Sequence, residues 1–258
     1  MPQVENQGAT LHYEIAGDGP PLLLVAGIAS DMASWGPLPP LLAGRRLILL
    51  DNRGSGRTRA GGPLGIDGMA DDCAALLAHL GEGPVDVVGH SMGGVIGLAL
   101  AATAPHRVKR LVTMASGTIA APARVLLRDM ARLYPLLPPE DWFRLLYQWL
   151  FSPAFFADEA NVAAAAAASA AYPWRQSPSD FARQVAAIDG FSGFDAAAIR
   201  CPVLAIAAGN DLLAPPAAVA ALHAGIAGVE FVTIPGAAHS VHWEKPAEIA
   251  AALAGFLR

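Results

Sequence analysis

The stretch Pro84-Val85-Asp86-Val87-Val88-Gly89-His90-Ser91-Met92-Gly93-Gly94 decides how this chain is read. Residues 84–88 form a short, largely β-branched run of the kind a buried strand shows. Residues 95–104 are apolar and rich in alanine, as in a buried helix. Between them stands Gly-x-Ser-x-Gly, the strand–turn–helix order of a nucleophile elbow. A serine at such a turn has its hydroxyl pushed clear of the backbone, and small flanking residues let strand and helix come close. Glycine supplies 26 of 258 residues, so the five-residue pattern alone carries little weight; the strand before it and the helix after it supply the rest. A free serine hydroxyl is a poor nucleophile near neutral pH, so the reading requires a base and an orienting acid. Asp211 and His239 follow, in that order.

Outward from the elbow, strands and helices alternate. Residues 10–15 alternate as a strand does, and 22–26 and 47–50 are continuous apolar runs. Residues 52–65 read as a loop. A helix is expected from there to about Leu80, capped by Asp67, with Met69, Cys73, Leu76 and Leu77 at helical spacing and Gly81 as its stop. After a strand at 110–114 the alternation breaks. Residues 116–196 hold helical blocks at 123–134, 139–151, 157–171 and 179–189, punctuated by prolines. The alanine tract 163–168 favours helix. Strands at 203–207 and 229–234 and helices at 216–224 and 246–257 then resume the pattern. Such alternation implies an α/β fold, a mostly parallel central sheet with helices on both faces. Residues 1–115 and 197–258 are expected to form this core, and 116–196 a helical cap, or lid, inserted over the strand ends.

Composition narrows the function. A net charge of −5 provides no basic footprint, so nucleic acid is not an expected partner. No apolar run approaches the roughly 18 residues of a membrane span, and residues 161–172 are short and alanine-dominated. The first eight residues lack the apolar centre of a signal peptide. Cys73 and Cys201 stand alone and are expected as reduced thiols in a cytoplasmic protein. No cofactor is expected, because neither Gly17–Gly19 nor Gly54–Gly56 has the Lys-Ser/Thr ending of a phosphate loop. The pair His239-x-x-His242 with Glu244 lacks the further ligands of a metal site. Asp86 is expected to cap or to be solvated, Asp51 to be structural, and His90 to be packing or pocket wall rather than the base. Trp35, Met130, Trp142, Tyr147 and Trp149 suit pocket or core alike; Met92, beside the serine, is placed in the pocket.

Ser91, Asp211 and His239 each fall just past an expected strand end, where parallel sheets gather their ligand-binding side chains. Three roles follow. Ser91 Oγ attacks a carbonyl carbon, His239 takes and returns the proton, and Asp211 holds the imidazole in the right tautomer.

With these motifs in order, nearly the whole chain resembles the α/β-hydrolase superfamily. Gly209-Asn210-Asp211-Leu212-Leu213-Ala214-Pro215 looks like its acid motif, and Gly236-Ala237-Ala238-His239, with Glu244 and Pro246 beyond, like its histidine motif. Asp51-Asn52-Arg53-Gly54-Ser55-Gly56-Arg57 resembles its Asp-x-Arg-Gly-x-Gly loop. The resemblance implies an oxyanion hole built from the N–H groups of Met92 and Ile28. The superfamily commonly has His-Gly where this chain has Ala26-Gly27, so the loop must be held in some other way. The serine at the elbow argues against the epoxide hydrolases and haloalkane dehalogenases, which resemblance gives an aspartate there. Residues 27–35, the Asp51 loop and the elbow look similar to the branch of 3-oxoadipate enol-lactonase-like enzymes and small carboxylesterases. A small-molecule ester or lactone is therefore the expected substrate. A C–C bond (meta-cleavage-type) hydrolase or a perhydrolase is the alternative, the former disfavoured by Ala26-Gly27-Ile28-Ala29-Ser30 in place of a Gly-Gly-Pro-Gly type loop. A small-ligand receptor on the same scaffold is the alternative outside catalysis.

Overall fold

The central strands are apolar on both faces, which commits them to a position between two layers of helix. The computed structural model describes residues 2–258. Its strands are β1 (Gln3–Asn6), β2 (Ala9–Ala16), β3 (Pro21–Val25), β4 (Arg46–Leu50), β5 (Arg59–Ala60), β6 (Val85–His90), β7 (Val108–Met114), β8 (Val203–Ala208) and β9 (Glu230–Ile234). Its α-helices are α1 (Ile66–His79), α2 (Met92–Thr103), α3 (Ala121–Leu133), α4 (Pro139–Leu150), α5 (Glu159–Ala171), α6 (Pro178–Asp189), α7 (Pro216–His223), α8 (Val241–Glu244) and α9 (Pro246–Phe256).

The sheet runs β1-β2-β4-β3-β6-β7-β8-β9, with β5 paired to β2. Pairings from β4 through β9 are parallel; those of β2 with β1, β4 and β5 are antiparallel. Period-two alternation sorts the side chains. Leu23 and Val25 of β3, Ile48 and Leu50 of β4, and Val85 and Val87 of β6 pack on the α1 and α2 face. Leu22, Leu24, Leu47, Leu49 and Val88 pack on the opposite face, with Ile249 and Leu253 of α9. Each such buried side chain contributes roughly 1.5–3 kcal/mol relative to leaving it in water. Helix α2 is apolar on all sides because it is buried between the sheet and α1.

Strand β3 lies between β4 and β6, so the chain leaves β3 toward one side and returns on the other. A crevice therefore opens at the carboxyl ends of β3 and β6. The loop after β3 and the elbow after β6 face each other across it.

Helices α3 to α6 lie between β7 and β8 and have a core of their own, centred on Trp142, Phe181, Tyr134 and Leu146. Tyr134 stacks on Trp142 at 3.7 Å between ring centroids. This helical layer is hydrogen-bonded to the Asp51 loop: Gln176 Nε2 donates to Gly54 O at 2.6 Å, and Gln184 Nε2 donates to Arg53 O and Ser55 Oγ at 2.8 and 2.9 Å.

Several expectations are corrected. Asp67 does not cap α1; the helix begins one residue before it, at buried Ile66, with Gly65 as N-cap and no side-chain cap bond. Asp86 is neither a cap nor solvated. It is 2% exposed and lies 2.5 Å from Arg45 and 3.7 Å from Arg110. The loop expected at 52–65 contains β5, paired to β2 and bonded at Ala60 O by Arg183 Nη2 at 2.9 Å.

Candidate active site

Ser91 occupies the turn between β6 and α2 at φ 53°, ψ −119°, a backbone conformation costing on the order of 1–3 kcal/mol for a residue with a Cβ. Hydrogen bonds at its N–H and its carbonyl hold it there. Ser91 N donates to Met114 O at 2.8 Å, while its carbonyl accepts from Ser116 Oγ at 2.9 Å and Gly94 N at 3.0 Å. The elbow's glycines are required by space. A Cβ on Gly89 would strike the carbonyl oxygen of Gly93, and one on Gly93 would strike that of Val25.

Ser91 Oγ donates to His239 Nε2 at 2.8 Å, and His239 Nδ1 donates to Asp211 Oδ2 at 2.8 Å. The three residues expected to converge are thus within hydrogen-bonding reach, though 148 and 28 positions separate the bonded pairs. Asp211 and His239 are 3% and 4% exposed, which keeps water from competing for their bond. Asp211 Oδ1 accepts from Leu213 N at 2.8 Å and Ala214 N at 2.9 Å, fixing which oxygen faces the imidazole. Burial pushes the Asp211 carboxyl up, but His239 and these N–H groups outweigh it and hold the group below the ordinary carboxylate value.

Met92 is the first residue of α2, so its N–H has no partner within the helix and sits at the positive end of the helix dipole. Met92 and Ile28 both line the cavity in front of Ser91. The loop bearing Ile28 reaches the elbow through Gly27, where a Cβ would lie 3.1 Å from Ser91 Cβ. Its anchor is Asn52, whose Nδ2 donates to Ala26 O at 2.8 Å. Asp51 adds a second tie, Oδ1 accepting from Met32 N at 3.0 Å, in keeping with the structural role expected of it. Both ties to this loop, which has Ala26 rather than a histidine, come from the residues just after β4.

Two further residues hold His239. His90 Nε2 donates to His239 O at 2.8 Å, so this residue, which also lines the cavity, fixes the backbone of His239. Glu244 accepts from Ala238 N with one oxygen at 2.6 Å and from Ser152 N, beyond α4, with the other at 2.8 Å. Its spacing from His239 was the only sequence signal for this bridge.

His90, His239 and His242 are clustered, the first and last with ring centroids 4.4 Å apart. Burial, then the charges of His242 and His239, push His90 well below the usual imidazole range. Burial likewise lowers His242 to about 4, against a partly offsetting bond to Ser34 O. Both are therefore neutral near pH 7. Neither adds a titrating step near neutral pH, so the acid limb of log kcat/KM against pH is expected to have unit slope, one proton being lost. A slope of two would mean that one of the flanking histidines titrates with the base. Among the described residues no cluster of His, Cys, Asp and Glu has the arrangement of a metal site.

The cavity measures about 1140 Å³ and its lining is mainly apolar. Met92 lines it; of the residues suited to pocket or core, Trp142 and Tyr147 line it while also packing in the core of the helical layer, and Trp35 and Met130 are core alone. Trp149 is half-buried outside the cavity wall. Phe143, Phe151, Phe155 and Phe181 add aromatic surface from the helical layer.

The family model described as alpha/beta hydrolase fold matches residues 20–246. A protein of Azorhizobium caulinodans provisionally named carbamate hydrolase RutD is 33% identical over 99% of this chain and 98% of its own length. The crystal structure of a protein of Mycobacterium tuberculosis H37Rv, provisionally named non-heme bromoperoxidase BpoC, superposes with a TM-score of 0.84 at 29% identity, covering 96% of this chain and 95% of that one. The enol-lactonase of Burkholderia xenovorans LB400 superposes with a TM-score of 0.86 at 26% identity, covering 99% of each chain.

Proposed function

The chain belongs to the α/β-hydrolase fold family, and on that premise we propose that it is a serine hydrolase cleaving a small carboxylic ester or lactone through an acyl-enzyme on Ser91. The observation that carries this reading is the hydrogen-bond chain Asp211–His239–Ser91, which ends at the wall of an apolar cavity. As Ser91 Oγ attacks the carbonyl carbon, its proton passes to His239 Nε2. The resulting imidazolium is stabilised by the Asp211 carboxylate. Negative charge on the carbonyl oxygen is met by the N–H groups of Met92 and Ile28. His239 then gives the proton to the departing alkoxide, and the bond to the leaving group breaks. A water deprotonated by the same imidazole hydrolyses the acyl-enzyme, which restores the Ser91 hydroxyl and releases the acid.

The cavity is somewhat larger than the usual range for small-ligand sites, and its aromatic wall suits an apolar acyl or alcohol group. Residues 116–196 serve as the cap over this cavity in our reading. The free thiols of Cys73 and Cys201 suit a reducing, cytoplasmic setting, and no helix among the described residues is long and apolar enough to cross a membrane. Carbamate hydrolysis is a second reading, favoured by the relative so named; the same serine would then carry a carbamoyl group.

The test is a turnover screen of the purified chain over p-nitrophenyl esters, lactones, an aryl carbamate and a dienone acid. Esters or lactones are expected to show the highest kcat/KM. Preference for the carbamate would move the assignment to the second reading, and binding without turnover of any of them would contradict both.

A further inference from the structure

Resting on the assignment of Ile28 to the oxyanion hole, we infer that Tyr172 is a positioning residue, through which the cap holds the oxyanion loop by a hydrogen bond to Asp31. Tyr172 closes helix α5 of the cap. Its hydroxyl donates to Asp31 Oδ2 at 2.7 Å, across 141 positions of sequence.

Asp31 stands in the loop after β3, just before Met32, and caps the short turn Met32–Trp35. It is 6% exposed, its Oδ1 accepts from Ala33 N at 2.9 Å, and its carbonyl accepts from Ser34 Oγ at 2.6 Å. The core ties this loop at its two flanks, Asn52 at Ala26 and Asp51 at Met32. Between those ties lie Ile28 and Ala29, and Ala29 has φ 58°, a left-handed conformation that a residue with a Cβ does not hold unaided. Tyr172 adds a side-chain tie at Asp31, three residues after Ile28, and it comes from the cap rather than from the sheet.

The geometry has a consequence for the reaction. A donor for a developing oxyanion acts through being fixed before the charge appears. Asp31 and Tyr172 both line the cavity, and phenylalanine keeps the ring in its wall, so losing the bond chiefly loosens the aim of the Ile28 N–H. The loss therefore belongs to kcat and not to KM. It also makes the cap part of the catalytic arrangement: with the cap lifted, Asp31 loses its partner, and the hole is complete only when the cap is seated.

The test compares the chain with Tyr172→Phe, Asp31→Ser and the double variant on p-nitrophenyl butyrate, with fluorophosphonate labelling of the unsubstituted protein alongside. Phenylalanine keeps the ring, and serine keeps a capping acceptor for Ala33 N while falling short of the Tyr172 hydroxyl. Each single variant is expected to lower kcat about tenfold with KM changed by less than about twofold. The double variant is expected to lose little beyond the larger single loss, because both substitutions remove one bond. Single variants within about twofold of the parent kcat, losses confined to KM, or additive losses in the double variant would overturn the inference. If the parent labels at Ser91 while Tyr172→Phe behaves like the parent, this inference alone fails. If the parent does not label, the serine mechanism fails and this inference falls with it.

Discussion

Ser91→Ala is expected to lower the turnover of an activated ester by about a thousandfold or more, with the fold intact. The loss follows from the position of Oγ at the end of the Asp211–His239–Ser91 chain; in the mechanism we propose it is the atom that bonds to the substrate carbon. The fold survives because the strained backbone at φ 53° is held by Met114 O, Ser116 Oγ and Gly94 N, none of which bonds to the hydroxyl. Alanine meets the same backbone strain as serine, so the thermal midpoint is expected to stay within a few degrees of the parent. Residual hydrolysis above the rate in water is expected, since the oxyanion donors and the cavity remain. A variant with the parent's kcat would remove Ser91 from the reaction.

Asp211→Asn is expected to cost nearly as much, about a thousandfold to ten-thousandfold in kcat. The reason is local. The N–H groups of Leu213 and Ala214 both point at Oδ1, so an asparagine places its oxygen there and turns its NH2 toward His239. His239 Nδ1 must then accept rather than donate, and the ring proton moves to Nε2. An Nε2 that carries a proton cannot take one from Ser91. Substrate binding is untouched, so KM is expected to stay within about threefold; a large rise in KM with kcat retained would contradict the tautomer account. The same carboxyl lies below its ordinary value in the folded chain. Its contribution to stability is therefore present above the unfolded value of about 3.9 and lost as pH falls through the lower folded value.

The sheet and the elbow were legible because their signals are local. The apolar runs of β3, β4 and β6 and the glycines around Ser91 need only neighbouring residues to be read. The order serine, aspartate, histidine could also be read along the chain, and the three side chains lie together as that order suggested. Short elements escaped. Strands β1 and β5 have four and two residues, too few for a period of two to declare itself, and α8 spans only four. Contacts distant in sequence escaped as well. Asp86 reads as a surface residue until Arg45 and Arg110 are brought against it. Asn52 was quoted as part of a loop, but nothing in its neighbourhood announces a bond to Ala26. Tyr172 lies at the end of an alanine-rich helix, and its partner is 141 residues away. Each of these residues acts through a partner that only the fold supplies.

The most direct measurement on the central claim is peptide mass spectrometry after brief treatment with a fluorophosphonate, which captures a serine only where an imidazole has activated it. A single adduct is expected, on the peptide carrying Ser91, and it should vanish in His239→Ala. Ester hydrolysis that persists while Ser91 stays unmodified, or an adduct on another residue, would contradict the account.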